Sequence, residues 1–222
     1  MNKTNLIRVA LFSLCLSSLC AAQQQTGAPA KKANARPAAE AQASPEPFDG
    51  ASVEKMAAQC VTLDTEAGAV EVEMLAEAAP ETVRNFLNLA ATGAYDTTTF
   101  SRVVRGFVVQ GGNLSTREAL TAELLKRSRR TVADEPNAVK HTRGVLSMAR
   151  GDEPNSATTH FFILVGEGAH LDGTFSAFGR VRNGMDVVDK INAAPLEGEK
   201  PEKPVRLRRA TVAPCPAAKS EP

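Results

Sequence analysis

FSRVVRGFVVQGGN, Phe100 to Asn113, is the stretch on which the fold turns. It sets a permanently charged guanidinium, Arg102, ahead of an aromatic ring, Phe107, and an amide, Gln110, in β-branched surroundings that favour a strand. Read as one strand, it gives Arg102 and Gln110 the same parity and hence the same face, whereas Phe107 has the opposite parity. Gly106 permits a bulge or kink that turns the ring back, so that a cation, a ring and an amide line one groove. Taken alone, the pattern also fits a surface-paired Arg followed by a Gly-Gly turn.

Two further blocks lie downstream. One is HTRGVLSMARGDEPNSATTHFFILVG, His141 to Gly166; the other is HLDGTFSAFGRV, His170 to Val181. With the central stretch they resemble, in order, the blocks of the cyclophilins, the cyclosporin-binding type of peptidyl-prolyl cis/trans isomerase. The central pattern of that family is Phe-x-Arg-[Val/Ile]-[Val/Ile]-x-Gly-Phe-x-x-Gln-Gly-Gly. The resemblance runs from about Val61 to about Val212.

That resemblance implies a mainly β fold, a closed eight-stranded antiparallel barrel with a helix over each open end. It assigns catalysis to Arg102, Phe107 and Gln110. Phe107, Val108, Phe162 and Leu171 match positions of an apolar pocket for the proline ring, and Gln110 matches the position that bonds the substrate backbone and helps hold Arg102. Ala149 and Arg150 match the segment whose backbone pairs with residues before the proline. Four positions depart from the family pattern: Ser101 stands where His or Asn is common, His160 where Gln is usual, His170 where Trp or Phe is, and Phe175 where His is. His170 replaces the larger aromatic that contributes to tight cyclosporin binding in the sensitive members of the family, Phe175 keeps an apolar wall, and His160 adds a group that titrates near neutrality. The expected substrates are proline-containing polypeptides. No cofactor or metal is called for, and the three histidines have no ligand-like spacing. A binding module that holds Pro-peptides with little turnover is the alternative in a different functional class.

Secondary structure read from the residues agrees with many short strands. Val70, Val72 and Met74 alternate with Glu71 and Glu73, the pattern of a half-buried strand paired with Cys60 to Glu66. Ala79 to Ala90 reads as a helix with Pro80 in its first turn, and Gly184 to Ile191 as a second. A short helix over Arg117 to Lys126, buried strands at Phe161–Val165 and Thr174–Val181, and a closing strand at Val205–Val212 complete the reading.

The chain has 222 residues and a formal net charge of +1, which excludes charge-driven nucleic-acid binding as a first expectation. Lys126, Arg127, Arg129 and Arg130 form a local basic cluster, read as a solvated face because Glu118, Glu123, Asp134 and Glu135 are close by. Residues 1–22 read as a secretory signal: Lys3 and Arg8, an apolar run from Val9 to Leu19, then small residues before Gln23. The run is too short for a membrane span, so a periplasmic or secreted protein is expected, with acylation of Cys20 as the alternative. Residues 23–50 read as an Ala/Pro/Gln-rich linker, 51–216 as the folded domain and 217–222 as a tail. The domain is expected to be a monomer. Export leaves Cys60 and Cys215 in the mature chain, and the resemblance makes the first and last strands neighbours. A Cys60–Cys215 disulfide is therefore expected, with two free thiols as the alternative.

Overall fold

The alternation of Val70, Val72 and Met74 with two glutamates does place a strand at the centre of the sheet's first hairpin. The computed structural model describes residues 45–217, and in it the elements follow in the order α1 (Val53–Ala57), β1 (Gln59–Thr65), β2 (Gly68–Met74), α2 (Pro80–Ala91), β3 (Arg102–Val104) and β4 (Val108–Gly111). Then come α3 (Ala122–Arg127), β5 (Val145–Met148), β6 (Phe161–Leu164), β7 (Ala177–Asn183), α4 (Met185–Asn192), β8 (Leu196–Glu197), β9 (Lys200–Pro201) and β10 (Leu207–Pro214). The signal segment, most of the linker and all but the first residue of the tail lie outside the described residues. Among the described residues no helix is long and apolar enough to cross a membrane.

Eight strands join antiparallel in the order β10–β1–β2–β7–β5–β6–β4–β3. The ladder is open, which corrects the expectation of a closed barrel: the sheet curls, but β10 and β3 remain edges. β3 has three residues, and its Val103 N–H donates to the Glu199 carbonyl at 2.8 Å instead of to β10. The edges are stitched where β10 begins, Phe100 N–H donating to Val205 O at 3.0 Å and Leu207 N–H to Thr98 O at 2.8 Å. The expected single strand over the central stretch is also corrected. It is a hairpin, β3 and β4, turning through Arg105-Gly106-Phe107, with Gly106 at φ +71° where a side chain would be strained.

The inner face of the sheet holds the main core. Phe86 of α2 stacks within 5.0–5.3 Å of Tyr95, Phe161 and Phe178, all fully buried. Tyr95 donates its hydroxyl to Thr159 O at 3.0 Å, and burial holds that hydroxyl protonated far above its ordinary range. The first turn of α2 has no capping side chain, because its N-cap is Ala79. The Glu135 carboxylate substitutes, accepting from the N–H groups of Glu81 at 3.0 Å and Thr82 at 2.7 Å.

Three boundaries shift. Residues 45–50, read as linker, are seated on α2: Phe48 is buried, its N–H donates to Asn88 Oδ1 at 2.7 Å, and Arg84 Nη1 donates to its carbonyl at 2.8 Å. Arg127, read as part of a solvated basic face, holds that segment by two bonds to Glu46 and donates to Asn85 at 2.8 Å. The helix expected over Arg117–Lys126 begins only at Ala122, capped by Thr121, because Arg117 is drawn aside to the carbonyls of Gly93 and Ala94. The strand expected at Thr174 begins at Ala177, since Thr174 and Phe175 close a turn onto Leu171 O.

Cys60 and Cys215 are joined by a disulfide with a Cα separation of 4.7 Å, closing a loop of 155 residues between β1 and the end of β10. Chain-entropy reasoning assigns a loop of that size about 5 kcal/mol, while measured disulfides more often contribute about 2 to 4 kcal/mol. A Cys60→Ser/Cys215→Ser variant is expected to lose about 2 to 4 kcal/mol of unfolding free energy in urea with an unchanged far-ultraviolet spectrum. A loss below about 0.5 kcal/mol would show that the cross-link does not constrain the unfolded chain.

Candidate active site

The β3–β4 hairpin brings Arg102 opposite Gln110, and β6 then brings Phe162 opposite Gln110 from the other side. Ser147 of β5 is in turn opposite Phe162. One cross-strand row on the outer face of the sheet therefore reads Arg102, Gln110, Phe162, Ser147. The explanation for four buried residues in succession on β6 lies here. Phe161 and Ile163 face the inner core, while Phe162 and Leu164 belong to a second apolar cluster with Val108, Val145, Leu171 and Ala177.

That second cluster floors a cleft lined by Arg102, Phe107, Val108, Gln110, Ala149, Arg150, Phe162, Leu171 and Phe175. These include every expected site residue except His160 and His170. His170 is exposed and lies outside the lining, its ring 5.3 Å from that of Phe107. His160 precedes β6, where its carbonyl accepts from Ala149 N–H at 3.0 Å. Burial lowers the pKa of the His160 ring below its ordinary value. The Ala149 N–H is thus engaged inside the protein.

Arg102 is held from two sides. Its Nε donates to Glu199 Oε2 at 2.7 Å and its Nη1 to Gln110 Oε1 at 3.3 Å, with the side chain still 44% exposed. Among the described residues the guanidinium makes no further hydrogen bond, and Arg102 lines the cleft with donors to spare. Phe107 sits at the rim because the hairpin turn is fixed by Asn192 at the end of α4. The Asn192 amide donates to Val104 O at 3.0 Å and Val108 O at 3.2 Å, and its Oδ1 accepts from Gly106 N–H at 2.9 Å. The close approach of Gly166 to the Gly106 carbonyl leaves no room there for a side chain.

Sequence reasoning missed a buried chain of polar groups beneath this wall. Ser147 Oγ lies 3.1 Å from His141 Nε2, and His141 Nδ1 lies 3.2 Å from Asp172 Oδ1. The His141 backbone N–H and then Lys140 hold the Asp172 carboxyl down at about 2. The order is that of an acyl-transfer triad, yet Ser147 has no exposure to solvent and lies under Phe162, so it cannot reach a substrate carbonyl. What the chain does is anchor the turn that carries Leu171. A Ser and a His separated by six positions around Gly144, followed by Leu-Asp, was the available signal, but only β5 and the turn bring them together.

Residues 60–212 match the family profile described as cyclophilin type peptidyl-prolyl cis-trans isomerase/CLD. Peptidyl-prolyl cis-trans isomerase A of Dickeya dadantii is 35% identical, covering 68% of this chain and 83% of its own. Peptidyl-prolyl cis-trans isomerase B of Escherichia coli is 36% identical, covering 68% and 98%. Among solved structures, a cyclophilin type peptidyl-prolyl cis-trans isomerase of Cryptosporidium parvum, crystallised in the presence of the dipeptide Ala-Pro, is similar. It has a TM-score of 0.61 and 26% identity, covering 69% of this chain and 98% of that one. With a hairpin-borne cation, an apolar floor and this extent of likeness, the chain belongs to the cyclophilin-type peptidyl-prolyl cis-trans isomerases.

Proposed function

We propose that the protein isomerises Xaa-Pro bonds of exported proteins without a covalent intermediate, and that Arg102 supplies the decisive hydrogen bond. The observation that carries this reading is the guanidinium pinned between Glu199 and Gln110, at the edge of an apolar floor formed by Phe107, Val108, Phe162 and Leu171. A prolyl bond turns slowly because amide resonance keeps it planar, against a barrier of about 18 to 20 kcal/mol. Out of plane, the nitrogen lone pair is no longer delocalised, and nitrogen becomes an acceptor it is not in either ground state. A guanidinium in reach of that nitrogen binds the twisted form in preference to both planar ones.

Magnitudes fit a non-covalent mechanism. An acceleration of about 10⁵ requires lowering the barrier by about 7 kcal/mol. One preorganised donor in a water-poor site contributes about 3 to 4 kcal/mol, and burial of the ring with exclusion of water supplies the remainder. Export is supported by the amino-terminal signal pattern and by the Cys60–Cys215 disulfide, since such bonds persist mainly outside the cytoplasm.

In a coupled assay on a short Ala-Pro peptide, Arg102→Ala is expected to lower kcat/KM by about 10²- to 10³-fold. Equal rates for parent and variant would remove Arg102 from the mechanism. A parent that binds the peptide without accelerating it would favour the holding module.

Because guanidinium does not titrate in the working range, kcat/KM should be level between pH 7 and 9. Stability should not be level on the acid side. The unfolded His160 takes up a proton near 6.5, whereas the buried ring resists it, so stability falls as pH drops through about 6.5 towards the lower folded value. Above that range His160 is neutral in both states and contributes nothing to the pH dependence. Melting temperatures of the parent and His160→Gln between pH 5 and 8 check this, the variant losing part of the acid-side decline; identical profiles would contradict it.

A further inference from the structure

We propose that Arg150 determines substrate specificity, selecting peptides that carry a carboxylate within two residues of the proline. This rests on the reading of the cleft as the peptide site and adds a substrate class to it. The guanidinium carbon of Arg150 lies 4.9 Å from the centroid of the Phe175 ring, and Phe175 is itself set edge-on against Phe162 at 6.2 Å. The cation is therefore mounted on a ring that is braced by the cleft floor, not on a free side chain.

Its partners leave it incompletely satisfied. Nη1 donates to Gly151 O at 3.0 Å and to Asp152 O at 3.5 Å, while Nε is buried with no hydrogen-bond partner. The nearest carboxylate oxygen, Asp134 Oδ2, is 3.7 Å from Nε, beyond hydrogen-bond reach, and it already accepts from Asn155 N–H at 3.0 Å. Nη2 makes no hydrogen bond among the described residues. With Nε buried and Nη1 engaged, Nη2 is the charged donor left for a ligand, and such a donor suits a carboxylate better than any neutral group.

The charges around it have the right sign. Arg102 and Arg150 are the charged residues lining the cleft, and among the described residues no carboxylate lines it. Glu199 is paired with Arg102, and Asp134 stands behind Arg150 on the loop that also caps α2 through Glu135. Asp152 and Glu153 follow on the same segment as Arg150, exposed and outside the lining. An acidic peptide side chain thus meets two cations and no carboxylate in the lining, and a basic one meets repulsion.

The test is a set of short Pro peptides with a single Glu, Ala or Lys at each of the two positions before and the two positions after the proline. At low salt the parent should show, for at least one position, a kcat/KM ratio of Glu over Lys of about 5 to 10, shrinking as salt is added. In Arg150→Gln that ratio should fall to about 1, whatever happens to the absolute rates, and Arg150→Lys should retain part of it. A parent ratio near 1 at every position, or a ratio unchanged in Arg150→Gln, overturns the proposal. Should Arg150→Gln fail to fold, Arg150→Lys with a full, salt-independent ratio would overturn it equally. A parent that turns over none of these peptides overturns the peptide-site reading, and this proposal with it.

Discussion

One turn governs the site. The chain reverses at Arg105-Gly106-Phe107, and only because it does so can Arg102 face Gln110 across two strands. The turn needs a left-handed residue at Gly106, a close glycine at Gly166 and the side-chain amide of Asn192 to satisfy its backbone. None of these atoms touches the cleft. They convert a flexible, exposed arginine into a cation whose position is set from behind, with Glu199 and Gln110 completing the hold. A surface ion pair of this sort contributes little to stability, so its value lies in orientation.

The sheet supports the site through its two faces. The inner face buries Phe86, Tyr95, Phe161 and Phe178, the rigid core against which outer residues are registered. Its outer face carries a smaller apolar cluster that continues into the cleft floor. Because side chains alternate, a slip of one residue in β6 would exchange Phe162 for Phe161 and destroy core and floor together. The buried Ser147–His141–Asp172 chain secures the remaining wall by tying the Leu171 turn to β5.

Much of this was legible in the sequence, unevenly. Arg102, Phe107, Gln110 and Phe162 stand out because they fall on the blocks that resemble the family, and that match survives any local misreading of the strands. The hairpin itself was not legible: an unbroken β-branched run reads as one strand, and Gly106 is as compatible with a bulge as with a turn. Glu199 was out of reach because it meets Arg102 across 97 positions from the turn between β8 and β9, a hairpin of two-residue strands that propensity alone does not signal. The open ladder follows from where the Val103 N–H goes, which no alternation pattern encodes. Residues 45–50 look like the linker by composition, yet Phe48 and Glu46 give them an apolar and an ionic foothold on α2 and α3. The side chain of Arg150 was passed over because only its backbone had an evident role, and its seat on Phe175 emerges when the turn after Leu171 folds back.

The central claim is that the cation at position 102 acts on the twisted bond and not on peptide affinity. Two-dimensional NMR exchange spectra of a Pro peptide with substoichiometric protein give the dissociation constant and the on-protein cis/trans interconversion rate in one sample. For Arg102→Lys, which keeps a charge but loses the planar fork, the expected result is an affinity within about threefold of the parent and an interconversion rate lower by about 100-fold. An undiminished interconversion rate, or an affinity that falls in step with it, would contradict the claim.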